Sequence, residues 1–393
     1  MNVSASGSKQ VASRSFAALV TLLLGACAPQ DIVAPVVDSC DNDELTDFES
    51  LLILAPHPDD EVLGFAGLAS AFANQGKPVR TIVVTDGDAY CVACALWTTG
   101  SIEGPACDAA TLSNFETGTV DSLAEARRLE SAAAAGILER PAPEFLGYPD
   151  TGLGFARAYA NAGKPDQILR RSDFSACTDC LTCESGYGEG PATTLSANTL
   201  RVTLDEILAA TSSTTLVATT HPLDGHGDHT ALGSFVTERI TELGLDRSVA
   251  FAVIHANTRN GHPHADCWYP GPATPECDCF NDLKADADAD WLASLRRHRE
   301  RPDWPQVLPE DVDYGEPSQF CLDDAMRSTK PLAIDAFKTQ LGTIGQTPGI
   351  LPASREGLLD CTAYLRSFGR RTEVFVVEQF TTDRTGMSPG GTR

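Results

Sequence analysis

Residues 51–64 read LLILAPHPDDEVLG, an apolar run of strand type that leads straight into His57, Pro58, Asp59, Asp60 and Glu61. An imidazole and two carboxylates thus fall at the carboxyl end of a buried strand, where open α/β sheets bind their ligands. Histidine and aspartate are ligand types of a catalytic zinc site, which takes three protein ligands and keeps one position open. A spare carboxylate beside such a metal can take a proton from water. One short segment therefore offers two ligands and a base. A third ligand has its source in residues 216–229, LVATTHPLDGHGDH, where a second β-type run ends in His221, Asp224, His226, Asp228 and His229. Four of the 8 histidines sit in these two segments, and paired His/Asp clusters at two strand ends have the pattern of a metal site rather than of two ordinary loops.

The elements that must position these residues follow from periodicity. Strands are expected at 50–55, 79–85, 144–148, 215–219 and 249–255, and helices at 63–75, 122–138, 198–210 and 229–243. Ser122 and Glu125 have capping-box spacing for the second helix. Strands separated by helices imply a Rossmann-like α/β fold: a parallel sheet flanked by helices, in a single domain. No G-x-G-x-x-G follows the first strand, which argues against NAD. Long cysteine-rich insertions are expected near 89–120, 155–195 and 257–329, either walling a cleft or decorating the surface.

APHPDDE (55–61), followed by HGDH (226–229), resembles the PIG-L/LmbE-like family of zinc-dependent N-acetylglucosamine deacetylases. TIVVTDGD (81–88) resembles the family's second strand and turn, and RRLESAAAAGIL (127–138) its helix with Arg and Glu three apart. EFLGYPDTGL (144–153), KPLAIDAFKTQL (330–341) and RTEVFVVE (371–378) resemble a later strand and loop, the closing helix and the closing strand. The likeness covers most of 50–256 and part of 330–380 and places the domain at 49–380. It implies that His57, Asp60 and His229 hold Zn²⁺, with Fe²⁺ as the alternative ion. It implies Asp59 as general base, His226 as oxyanion stabiliser oriented by Asp228, and Arg127 and Asp150 as contacts to sugar hydroxyls. The implied substrate is an N-acetylated saccharide or glycoconjugate. One departure is Asp224, which stands two residues before His226 where some family members carry tyrosine.

The N-terminus reads as a processing segment. Lys9 and Arg14 precede the apolar run Phe16 to Leu24, and Leu24-Gly25-Ala26-Cys27 resembles a lipobox. Residues 1–26 are then a lipoprotein signal peptide, Cys27 the lipidation site, 27–48 an acidic linker and 381–393 a flexible tail. The expected location is extracytoplasmic, lipid-anchored at the outer membrane or cell surface of a bacterium. Removing Cys27 from the 13 cysteines leaves 12, an even number suited to disulfides in an exported chain. The competing reading takes Cys177, Cys180 and Cys183 as zinc or iron–sulfur ligands. A net charge of −25 argues against nucleic acid and favours a neutral or cationic substrate.

Other patterns carry less. Asp286, Asp288 and Asp290 open like a calcium loop, but Trp291 and Arg297 occupy the positions that need Gly and Glu. His262 and His264 read as a surface pair, and Arg296, Arg297, Arg299 and Arg301 as a basic face or a glycan anchor. The leading function is N-deacetylation of an N-acetylglucosamine-containing saccharide. The alternatives are an amidase for another N-acyl bond, a non-catalytic glycan-binding lipoprotein, and a redox protein built on the cysteine triplet. Oligomeric state is not legible.

Overall fold

A strand buried on both faces reads as an unbroken apolar run, and SLLILA at Ser50–Ala55 forms such a strand, β1, inside a seven-stranded sheet. The structure, a computed structural model, describes residues 40–88, 123–170, 194–255, 308, 312–341, 365 and 368–381. Around β1 the described elements run, in chain order, α1 (Asn42–Thr46), then β1, α2 (Asp60–Leu63), α3 (Ala66–Asn74), β2 (Val79–Thr85), α4 (Leu123–Ile137), β3 (Glu144–Tyr148) and α5 (Gly152–Asn161). They continue with β4 (Leu169–Arg170), β5 (Thr194–Leu195), α6 (Ala197–Ala209), β6 (Thr215–Thr220), α7 (Gly227–Glu242) and β7 (Arg247–Ala252). The last are β8 (Pro317–Cys321), α8 (Asp324–Ile334), α9 (Lys338–Leu341) and β9 (Thr372–Phe380).

The sheet order is β3-β2-β1-β6-β7-β9-β8, with β4 and β5 forming a separate antiparallel pair. From β1 the chain moves outward to β2 and β3, then crosses back to β6 on the other side of β1. The order therefore reverses between β1 and β6, and a crevice at their carboxyl ends is where a doubly wound sheet places a ligand. Both motif loops, after β1 and after β6, open there. The strands from β3 to β7 are parallel, but β9 runs antiparallel to both β7 and β8. The expected all-parallel sheet is thus corrected to a mixed α/β sheet. Apolar pattern marks a strand without marking its direction, and antiparallel strands at the edge of a parallel sheet are common.

Alternation sorts the core into two layers. Leu52, Leu54, Ile82 and Val84 pack with Leu200, Leu204, Leu232 and Phe235 from α6 and α7. Leu51 and Ile53 face the other way, against Phe65, Leu68, Phe72 and Phe375. Each fully buried phenylalanine contributes about 1.5–3 kcal/mol, so these layers fix the two strand ends firmly. The helix expected at 63–75 is two helices, α2 and α3, broken at Gly64 and Phe65. A buried ion pair fills the break: Lys330 Nζ donates to Leu63 O at 2.9 Å and to Glu373 Oε1 at 2.7 Å. The Glu373 carboxylate in turn accepts from Gly67 N at 2.7 Å and Leu68 N at 3.0 Å. Lys330 and Glu373 thus serve the last carbonyl of one helix and the first amides of the next.

The outer edge of β8 is occupied. Asp41 N donates to Gln319 O at 2.7 Å, and Gln319 N donates to Asp41 Oδ2 at 2.8 Å. The Asn42 side chain pairs with the backbone N–H and carbonyl of Cys321, which blunts an edge strand. The sulfurs of Cys40 and Cys321 are paired alongside, with Cα atoms 5.6 Å apart. β8 and the start of α8 fall within the stretch 257–329 that the sequence sets apart as an insertion, and α5 falls partly within 155–195. The segment 1–26, Cys27, the insertion 89–120, Ser122, the triplet Cys177 to Cys183, the patterns at 262–301 and the tail from 382 lie outside the described residues. Among the described residues no helix is long and apolar enough to cross a membrane.

Candidate metal centre and active site

The loop after β1 turns sharply at Asp59, whose φ of 129° is one that side-chain-bearing residues rarely adopt. Such backbone costs about 1–3 kcal/mol and persists only where the surroundings over-determine it. Here Asp59 N donates to Glu61 Oε2 at 2.8 Å, while Asp59 O accepts from Val62 N at 2.8 Å and Leu63 N at 2.9 Å. The turn sends two adjacent carboxylates apart. Asp60 Oδ2 lies 3.2 Å from His57 Nδ1 and 3.1 Å from His229 Nε2. Asp59 Oδ1 instead lies 3.5 Å from the Arg127 guanidinium.

His229 arrives from the first turn of α7. That helix approaches closely because Gly233, one turn on, has no side chain: a Cβ there would overlap Thr220 O at the end of β6. Thr220 Oγ1 donates to His229 O at 3.0 Å and completes the dock. His57 Nδ1 and His229 Nε2 are then 3.2 Å apart. The three donor atoms of His57, Asp60 and His229 form a triangle with edges of 3.2, 3.2 and 3.1 Å. Tetrahedral donors bound at about 2.0–2.1 Å stand about 3.3 Å from one another, so the triangle fits a zinc-sized ion.

Charge points the same way. Burial works against a protonated His57, but Asp150, Asp228 and Asp60 outweigh it and hold its pKa well above 6.5. Burial also opposes charge on His229, yet Asp60 and Asp224 push it up to about 9. Burial would raise Asp60, but His229 and His57 hold it well below the usual carboxylate range. These carboxylates favour positive charge at the triangle, a role a cation fills as well as protons do.

Each histidine of the triangle has a carboxylate behind it, the arrangement that fixes ring orientation and basicity at metal sites. His57 Nε2 lies 3.1 Å from Asp150 Oδ1 and 3.3 Å from Asp228 Oδ2. His229 Nδ1 lies 3.4 Å from Asp224 Oδ1, a long contact that orients electrostatically more than as a formed hydrogen bond. Asp224 also accepts from His226 N at 2.9 Å, Ile254 N at 2.8 Å and His255 N at 3.0 Å. All these partners are donors, so the amide of Asp224→Asn would set a donor against a donor. Metal affinity is expected to weaken about 10- to 100-fold in that variant, read by competition with a chelator.

The remaining site residues take occupations that differ in part from expectation. Asp228 meets His226 through its backbone N–H, which donates to His226 Nδ1 at 3.1 Å, while its carboxylate serves His57 and Gly154 N. Arg127, read from the resemblance as a sugar contact, is buried; its terminal nitrogens bond Gly87 O and, at 2.8 Å, Pro58 O. Gly87 has a φ of 62°, and a side chain there would overlap the guanidinium. Asp150, the other expected sugar contact, is buried against His57, and its Oδ1 accepts from Thr151 N at 2.7 Å. Sequence spacing carries no sign of these burials because the partners come from separate strand ends. His221, at the end of β6, faces away, with Nε2 3.1 Å from Tyr314 O.

His226 caps α7, and with Nδ1 accepting from Asp228 N its proton belongs on Nε2. Burial, then the positive charge of His57, His229 and His255, pushes its pKa well below 6.5 and leaves the ring a neutral donor. Its ring lies 4.6 Å from that of His57 and 4.7 Å from that of His229. Burial and the neighbouring Asp60 push Asp59 up to about 8, against the pull of Arg127, which suits a base working near neutral pH. One site residue escaped the sequence reading: His255, three residues past β7, stacks among these rings. The signal was present in FAVIH, a third apolar run ending in histidine.

Residues 52–240 match the PIG-L family, described as GlcNAc-PI de-N-acetylase. That segment contains both motif loops and all three corners of the triangle. No curated protein matches the chain by sequence. Among solved structures, the chain is similar to an A40926 pseudoaglycone deacetylase, at 17% identity over 85% of this chain and 99% of that one, with a TM-score of 0.40. The zinc-inhibited form of a teicoplanin deacetylase matches at 16% identity over 84% and 98%, with a TM-score of 0.38. An N,N'-diacetylchitobiose deacetylase from Pyrococcus horikoshii matches at 16% over 89% of each chain, with a TM-score of 0.36. Likeness at this level carries no argument about substrate or residues. The segment 52–240, which brings the two motif loops together, is thus a PIG-L-type N-deacetylase hydrolase domain.

Proposed function

We propose that this protein hydrolyses the N-acetyl group of an N-acetylglucosamine-containing saccharide with the help of one Zn²⁺ held by His57, Asp60 and His229. The observation that carries the reading is the closed triangle of donor atoms with a second, unligated carboxylate, Asp59, on the same turn. A bound zinc ion supplies Lewis acidity there, lowering the pKa of water to about 7 and polarising a carbonyl. Asp59 takes a proton from water as its oxygen attacks the acetamide carbon. His226 donates from Nε2 to the oxyanion that forms. Asp59 then returns the proton to the nitrogen as the C–N bond breaks, leaving acetate and a free amine. A donor aimed at the oxyanion contributes about 3 kcal/mol to the barrier reduction. Arg127 acts by fixing the turn and the base, and Asp150 and Asp228 by steadying His57. The same proposal keeps Cys27 as a lipid attachment site on an extracytoplasmic protein, supported by Leu24-Gly25-Ala26 before it.

The experiment is acetate release from N-acetylglucosamine, chitooligosaccharides and peptidoglycan fragments by the purified protein. Release that stops on chelation and returns with stoichiometric zinc is the expected result. A protein that binds zinc tightly yet frees no acetate from any of them would exclude these saccharides.

A further inference from the structure

We infer that His255 walls the acyl subsite and sets the size of acyl group that the site accepts, an inference that rests on the deacetylase reading. β7 ends at Ala252, and Ala252, Ile254 and His255 are laced to the loop after β6. His221 N donates to Ala252 O at 2.9 Å, Gly225 N to His255 O at 2.5 Å, and Ile254 N and His255 N to the Asp224 carboxylate. The backbone of His255 is therefore fixed from both its N–H and its carbonyl. Its ring is carried to 4.9 Å from that of His229, edge to face, and to 5.2 Å from that of His226.

Those two neighbours define where the ring stands relative to chemistry. His229 is a corner of the metal triangle, and His226 is the donor facing the oxyanion. The oxyanion oxygen and the acyl chain hang on the same carbon, so a rigid ring against His226 borders whatever extends from that carbon. The triangle is closed by three other residues, which leaves His255 as wall rather than ligand. His255 also lies beyond residues 52–240, the segment matched to the family.

The test compares wild type with His255→Ala, which opens the wall, and His255→Trp, which fills it. Each protein is assayed on N-acetyl-, N-propionyl- and N-butyrylglucosamine, and its cobalt-loaded form is titrated with acetate, propionate and butyrate by visible absorption. One methylene in a fitted pocket is worth about 10- to 200-fold. The butyryl-to-acetyl ratio of kcat/KM, and the matching ratio of carboxylate affinities, are expected to rise by at least about tenfold in His255→Ala and to fall in His255→Trp. Cobalt affinity should be unchanged in both. Unchanged ratios, or loss of cobalt binding in His255→Ala, would overturn the inference. If wild type cuts none of the amides but its carboxylate affinities shift as expected, the deacetylase reading fails on these substrates and the wall stands. If it neither cuts an amide nor binds a carboxylate, there is no acyl subsite and the inference falls.

Discussion

Asp59→Asn should bind zinc as tightly as the wild type and lose about 10²- to 10⁴-fold in kcat, the span that a positioned general base contributes. The two halves of that expectation come from one turn. Asp59 is no corner of the triangle; its carboxylate faces Arg127 at 3.5 Å while Asp60 faces both histidines. Asparagine matches aspartate in size, and the contacts that hold the turn are backbone ones, from Asp59 N to Glu61 and from Val62 and Leu63 to Asp59 O. The strained φ of 129° should therefore survive the substitution, since asparagine tolerates positive φ better than most residues. What disappears is the capacity to accept a proton and return it. Zinc affinity by chelator competition and single-turnover acetate release separate the two effects. A variant that loses zinc along with activity would place Asp59 in the metal's own coordination and require another base.

The fold and the site differ in how much of them the sequence carries. β1 and β6 are legible because burial on both faces leaves no polar residue to break the run, and the two His/Asp clusters stand out by residue type at their ends. The ends of α6 and α7 are written locally, by Ser196 and His226 as caps. β7, expected through 255, stops at Ala252 because Ile254 and His255 turn their N–H groups to Asp224 rather than to a neighbouring strand. Second contacts of the site are not legible at all. Nothing in DGHGDH says that the Asp224 carboxylate will reach the end of another strand, and nothing around Asp150 says that it will meet His57. These pairings are set by strand order, and periodicity is blind to strand order. The break between α2 and α3 is hidden for the same reason: the Lys–Glu pair that serves its two ends comes from the other end of the chain.

That pair supports the second large effect, an expected loss of about 3–5 kcal/mol in Lys330→Met, the usual cost of leaving one member of a buried ion pair alone. Neither side chain has any exposure. The ammonium is not replaceable by its partner's other contacts. Without it, Leu63 O loses its donor, and the Glu373 carboxylate keeps Gly67 N and Leu68 N as hydrogen-bond donors and the charge of the buried Arg140 guanidinium against its burial. Lys330→Met/Glu373→Gln should recover part of the loss, because a neutral amide costs less to bury and its oxygen still accepts from the start of α3. Denaturant unfolding of Lys330→Met, Glu373→Gln and the double variant measures this directly, with the double variant expected to lose less than the sum of the two single losses. The consequence reaches the metal, because Leu63 closes the four-residue helix that Asp60 opens. Well below its unfolding temperature, Lys330→Met should still bind zinc more weakly than wild type, and the double variant should recover part of that affinity too. Zinc affinity unchanged across the three proteins would confine the ion pair to stability and leave the aim of Asp60 to the turn at Asp59 alone.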